Sequence, residues 1–362
     1  MIKLFIFFLM ILQVFLTGSF SLPEKIRKPV DPVGYATTAG QMNAFINRID
    51  QVQGQNLTKA WEKSNVDRFT QWKVAVCPHD DYTYVGWLYP AILKNVKAGT
   101  VIIFGVAHKA KKFGLEDKLI FDSYDKWQGP YGPVKISYLR EQIMNGLASS
   151  IFIVHDSMQQ VEHSVEGIVP FLQFYNRNVE IIPILVPYMS FNTMNGLANN
   201  LALSLTNIIR QNEFSWNKDI SIVISTDAVH YGDEDWGGQN YAPYGTDSAG
   251  YKKAIDHEFE IITNCLTGDL TKNKLERFTE YTVQDTDYRV YKWTWCGRYS
   301  VPFGLLVAEK MQGMLHQSLK GSLVGYSTSL EQPKIPVTDL GMGTTAPAKL
   351  KHWVGYAAIG FR

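Results

Sequence analysis

Val-Ala-Val-Cys-Pro-His-Asp-Asp-Tyr-Thr-Tyr, residues 74–84, decides how the rest of the chain is read. Val74, Ala75 and Val76 form an apolar run suited to a buried strand, Pro78 stops it, and His79, Asp80 and Asp81 follow where the backbone must turn. In open α/β sheets, the groups that meet ligands stand just beyond the carboxyl ends of strands. The same order, an apolar run and then a histidine, returns at residues 101–108 and, with a longer tail, at 222–230. Three repeats of one pattern predict a shared rim carrying His79, His108 and His230.

Outward from these strands the chain alternates. A helix is expected at 41–64 from Met42, Phe45, Ile46 and Ile49, and others at 137–147, from Glu162 to about 175, at 194–211, 251–265 and 302–319. Further strands are expected at 151–154, 179–186, 321–329 and 353–361, with a short one at Ile120 and Phe121. Residues 21–40 read as an extended arm ahead of the domain, 128–133 as irregular, and 275–291 as hard to place. Strands alternating with helices predict a single α/β domain with a mostly parallel or mixed central sheet flanked by helices.

Composition narrows the function. With 35 basic and 34 acidic residues the net charge is +1, so nothing draws the chain broadly to nucleic acid. Lys3 precedes an apolar run from Leu4 to Leu16, and Thr17, Gly18 and Ser19 follow. That is the layout of a signal peptide, here residues 1–22, which leaves a domain at 23–362 that is secreted or periplasmic with no stable membrane insertion. Asn56-Leu57-Thr58 is a formal glycosylation acceptor. The three cysteines, Cys77, Cys265 and Cys296, are too few for a disulfide scaffold; one pair could bridge and leave a third thiol over.

Neutral imidazoles of His79 and His108 suit iron, copper, zinc, nickel or cobalt. Cys296 is the strongest third ligand: Gly297 permits a close backbone turn, and the amino end of the following helix would favour a thiolate. The plainer alternatives are a cysteine filling a buried turn and histidines satisfied in the core. Asp227, three residues before His230, could fix its tautomer and raise its basicity for proton transfer, or merely cap a turn. Glu162 and His163 offer acid-base groups at a cavity edge or an ordinary helix start. His257, His316 and His352 read as structural or exposed. No phosphate-cradling loop, dinucleotide fingerprint or serine-hydrolase elbow is present, so no nucleotide cofactor is expected.

Together, Pro78-His79 with Tyr82 and Tyr84, His108, Glu162-His163-Ser164-Val165-Glu166, Pro170-Phe171-Leu172, Ser225-Thr226-Asp227 with His230, and Cys296-Gly297-Arg298 resemble the Memo family, also catalogued as protein B of the AmmeMemoRadiSam system. The resemblance runs from about residue 30 to the C-terminus. It implies a fold like that of class III extradiol dioxygenases, a metal-binding trio of His79, His108 and Cys296, and Asp227 and His230 lining the same pocket. It also implies iron or copper as the metal, with zinc as a further option. Where the dioxygenases use a carboxylate, this chain has Cys296, so dioxygenase activity does not transfer directly. Asp80 and Asp81 replace a small residue and a glycine, and Lys109 replaces a second histidine. The two carboxylates could add a ligand, raise histidine basicity or repel an anionic substrate; facing water is the expectation.

The functional expectation is an exported protein with a mononuclear metal pocket, a non-haem oxidoreductase acting on a small oxygen-bearing substrate. The alternatives are a non-catalytic protein that binds a ligand, peptide or protein through an exposed aromatic patch between Tyr231 and Tyr251, and a metal-assisted hydrolase.

Overall fold

Buried Val and Ile in unbroken runs account for the centre of the molecule. The computed structural model describes residues 23–362, and the expected signal segment lies outside the described residues. In chain order the strands are β1 (Ile26–Arg27), β2 (Val74–Cys77), β3 (Thr100–Val106), β4 (Leu119–Phe121), β5 (Lys126–Gly129), β6 (Gly132–Ile136) and β7 (Phe152–Val154). They continue with β8 (Glu180–Val186), β9 (Ile220–Ser225), β10 (His230–Gly232), β11 (Gly268–Asp269), β12 (Lys320–Thr328) and β13 (His352–Phe361). The main sheet runs β1-β5-β6-β8-β3-β9-β2-β13-β12-β11. The four at its centre, β8, β3, β9 and β2, are mutually parallel, whereas β13 is antiparallel to β2 and β12 to β13. The sheet is therefore mixed, within a single α/β domain.

Continuous hydrophobicity in the central strands follows from cover on both faces. Val74, Val76, Ile102, Phe104, Ile222 and Ile224 face one core, under the helices Phe191–Gln211 and Ser300–Met314. Ala75, Cys77, Val101, Ile103 and Val223 face the other, beneath Ala39–Ser64 and Leu88–Leu93. Helix Ala39–Ser64 starts at a capping box between Thr38 and Gln41 and ends at Asn65 in the left-handed region, φ 52°. No described helix is long and apolar enough to cross a membrane.

Several expectations need correction. Residues 128–133 belong to the β5–β6 hairpin, in which Trp127, Val134 and Ile136 are buried. The stretch that resisted placement begins inside a helix, Lys272–Thr282, with Leu275, Phe278, Thr279 and Thr282 inward. Residues 231–250 read from sequence as a loop rich in Gly, Asp and Tyr, but Tyr231 and Gly232, with His230, pair with β13 as β10. The expected helix from Glu162 starts later, at Ile168, leaving Glu162 and His163 in the preceding turn. Asn56 lies mid-helix with its side chain toward Glu331, and Leu57 is buried, so the formal acceptor is not on a loop. All three cysteines are free and buried.

Candidate metal centre

Strand register brings the pieces together. Cys77 lies opposite Ser225 and Ile224 opposite Phe104, so β2, β9 and β3 end almost level and release His79, Asp227 and His108 side by side. Cys296 arrives from another direction, on a segment held by a bridge between Val229 and Trp295. A Cβ at position 297 would stand 2.2 Å from Thr226 Oγ1, so only glycine lets this segment approach β9. Ligand atoms of His79, His108 and Cys296 lie within 4.8 Å of one another, and two overlapping groups, His108-Glu162-His163 and Asp227-His230-Cys296, meet the same limit.

Each imidazole is oriented by a partner that leaves one nitrogen toward the cluster. His79 Nδ1 is hydrogen-bonded to Ser225 Oγ at 2.7 Å, and its Nε2 lies 3.6 Å from Cys296 Sγ. His108 Nδ1 is 2.9 Å from Glu162 Oε1, and its backbone N–H donates to the other carboxylate oxygen. This is the outer-shell arrangement that fixes the ring and tautomer of a metal-binding histidine. Tetrahedral or trigonal N and S donors at bond lengths near 2.0–2.3 Å stand roughly 3.3–4 Å apart, so the trio fits an ion after small adjustment.

Burial and neighbouring charge set the protonation states. Burial alone would raise Glu162, but His108, His163 and the Ser164 N–H override it and take its carboxyl down to about 2. Burial, then the nearby charges of His108, His163 and His230, hold His79 well below the usual imidazole range. Burial and His108 push His163 down to about 4; its ring is stacked on that of His108 at 4.9 Å. Asp227 is pushed up to about 7 by burial, against the hydrogen bond its Oδ1 accepts from His79 N–H at 2.9 Å. His230 goes down to about 3, chiefly through burial and then the charges of His108 and His352. Its Nε2 lies 4.0 Å from Asp227 Oδ2 and is buried without a hydrogen-bond partner. A neutral imidazole thus faces a carboxyl poised near neutrality.

Cys296 departs from the thiolate expectation. The helix begins at Ser300, four residues on, and burial raises the thiol instead, despite an Asp227 N–H donated to Sγ at 3.0 Å. A cation at this position would supply the missing stabilisation. The extra carboxylates also differ from expectation: neither belongs to a donor cluster among the described residues, and Asp81 does not face water. Asp81 accepts from Thr345 N–H at 2.6 Å, and Asp80 from the Tyr356 hydroxyl at 2.6 Å, so both serve the packing of distant segments. Asp227 and His230 do not share a helical turn; β10 follows directly.

Three supports of the site leave no local cue among the residues around them. Ser225 ends a strand like any serine, yet it orients His79. His352, read as structural or exposed, is buried and stacked on Trp236 at 3.8 Å, and Trp236 in turn packs against His230. Glu258 is wholly buried and accepts from Trp293 and Trp295 Nε1, Val229 N–H and the Tyr326 hydroxyl, tying together the segments that carry His230 and Cys296. Within the expected aromatic patch, Tyr231 is fully buried and stacked on Trp353, against which Tyr251 also packs, while Tyr244 is exposed.

A model of the family described as Memo-like protein matches residues 35–337. The chain belongs to the Memo family. Among Memo relatives, a MEMO1 family protein of Pyrococcus abyssi is 24% identical over 309 residues, covering 83% of this chain and 94% of that protein. One from Pyrococcus horikoshii is 26% identical over 272 residues, covering 74% and 83%. A Thermotoga petrophila MEMO1 family protein is 32% identical over 164 residues, which span 44% of this chain and only 54% of the relative. Within this Memo chain, the His, Cys, Asp and Glu clusters at the strand ends are groups whose donor atoms lie close enough that they could hold a metal ion.

The buried carboxyl of Glu258 yields a prediction. Burial raises it from 4.5 to about 7 against its four donors. A raised folded pKa means the native state holds a proton that the unfolded chain has lost. Its stabilising contribution is therefore full below about 4.5 and disappears as pH rises through about 7, with a slope of at most about 1.4 kcal/mol per pH unit. Urea midpoints of chelator-treated protein should fall across that window, and Glu258→Gln should flatten the slope. An unchanged slope in the variant would contradict the assignment.

Proposed function

We propose that this chain is an exported Memo-family metalloprotein whose centre holds one iron or copper ion, zinc being next in preference, on His79, His108 and Cys296. The observation that carries the reading is the convergence of three ligand atoms within 4.8 Å, with both imidazoles pre-oriented by Ser225 and Glu162. Such an ion, when bound, would polarise an oxygen-bearing small substrate and, as iron or copper, exchange electrons with dioxygen. The chain's own residues do the rest. Ser225 and Glu162 keep the imidazoles aimed, Trp236 packs against the His230 ring, and His230 with Asp227 moves a proton to or from the substrate. The reaction class is thus a non-haem oxidoreductase.

Crystals of full-length protein purified without chelator, measured at the iron, copper and zinc absorption edges, test the centre directly. One anomalous peak between the three ligand atoms at the iron or copper edge is expected. Scattered or absent density in metal-supplemented protein would defeat the reading. Export rests on the apolar segment behind Lys3, and N-terminal sequencing checks it: cleavage near residues 19–22 is expected, and a product retaining Met1 would refute it.

A further inference from the structure

Beside the metal centre is a cavity of about 360 Å³, to which His108 and Cys296 both contribute. This is near the lower end of the ~300–1,000 Å³ usual for small-molecule sites, which suits a compact ligand. Its outer wall is basic, with Lys111, Arg289 and Arg298, and none of its lining residues is acidic. Tyr188, Tyr291 and Tyr299 supply flat aromatic surface between the cations.

Arg298 is the telling member of the wall. Arg289 already has a carboxylate partner, Glu116, at 3.0 Å. Arg298, by contrast, stacks its guanidinium on Tyr291 at 3.5 Å and near Tyr299 at 4.6 Å, and no carboxylate pairs with it among the described residues. One Nη donates to the Arg289 carbonyl at 3.2 Å, while Nε is buried without a hydrogen-bond partner. A planar cation stacked on a tyrosine ring, lining the cavity with no carboxylate partner among the described residues, is prepared for a planar anion. Asp80 and Asp81, which could have repelled one, are engaged by Tyr356 and Thr345.

We propose that the cavity takes a small aromatic carboxylic acid, with its carboxylate on Arg298, its ring among the tyrosines and its far end at the His79, His108 and Cys296 centre. This rests on the proposed function for the far end alone; the Arg298 subsite stands on its own geometry. Arg298 is here a specificity residue.

The test is calorimetric titration of full-length protein, with and without added metal, using 4-hydroxybenzoate, its uncharged analogue 4-hydroxybenzamide, and acetate. The acid should bind about tenfold or more tightly than either comparison, as expected for a charge-assisted hydrogen bond and for ring contact respectively. Arg298→Met, which keeps the apolar stem, should erase the acid-over-amide preference, and Arg298→Lys should restore part of it. The parent protein stripped of metal should retain the preference, which separates failure of the centre from failure of the subsite. Equal binding of acid and amide to the parent, or an undiminished preference in a folded Arg298→Met, would overturn the carboxylate assignment. Acetate binding as well as 4-hydroxybenzoate would overturn the aromatic one.

Discussion

Replacing Cys296 with alanine should remove metal from this protein almost completely, with content after gel filtration dropping from about one ion per chain to below a tenth. The reasoning is comparative. Loss of an outer-shell partner typically costs ten- to a hundredfold in affinity, so loss of one donor in three should cost more than about a hundredfold. His79→Ala should do the same, because Nε2 of His79 lies 3.6 Å from the sulfur and no other described imidazole is oriented by Ser225. Cys296→Ser separates ligation from packing. Serine still offers an acceptor to the Asp227 N–H, which donates to Sγ at 3.0 Å, whereas alanine leaves that donor unmet at a cost of about 1–3 kcal/mol. Serine should therefore fold nearly as stably as the parent and still lose most of its metal. If both variants keep parental metal, these three residues are not the centre.

Glu162→Gln probes the same site from its edge. The carboxylate accepts from His108 Nδ1 and from three backbone N–H groups, of His108, His163 and Ser164, and an amide can satisfy only part of that set. Metal affinity should fall by about ten- to a hundredfold without vanishing, measured by competition with a chromophoric chelator. A fall as large as that of Cys296→Ala would make Glu162 itself a ligand, as its place in the second donor group would allow.

What could be read from the residues follows from what kind of signal each feature leaves. Strands buried on both faces announce themselves as unbroken Val and Ile, so β2, β3, β8 and β9 were expected where they occur, and with them the rim bearing His79 and His108. The β5–β6 hairpin was masked by Gly129, Pro130 and Gly132, although Gly132 takes φ 106° only because the turn demands it. Helix Lys272–Thr282 buries just two large apolar side chains, Leu275 and Phe278, too few for a clear period. Ser225, Glu258 and Arg298 act through contacts with residues far away in sequence, and such partners leave no local trace. Glu258 works on segments about 30 residues before and 35 after it, across elements whose pairing only the fold reveals.

The largest stability effect is expected from a residue in the arm that the sequence placed outside the domain. Arg27, at the end of β1, is 2% exposed and pairs with Glu166, whose carboxylate also accepts from Val30 and Asp31 N–H. Its other guanidinium nitrogens donate to the carbonyls of Gln159 and Glu162, and its plane lies 4.2 Å from the centre of the Trp127 ring. The arm is thus a brace behind the turn that carries Glu162 and so holds His108. Arg27→Met keeps much of the volume but leaves Glu166 buried without its cation, which should cost about 3–5 kcal/mol in urea unfolding. Glu166→Gln in the same chain removes the stranded charge while keeping an acceptor for the arm's backbone, so the double variant should recover a good part of that loss. Metal affinity should fall in Arg27→Met and rise again in the double variant, because the effect reaches His108 only through the turn. If Arg27→Met unfolds within about 1 kcal/mol of the parent, the cost of a stranded buried carboxylate has been avoided and the arm is not a brace.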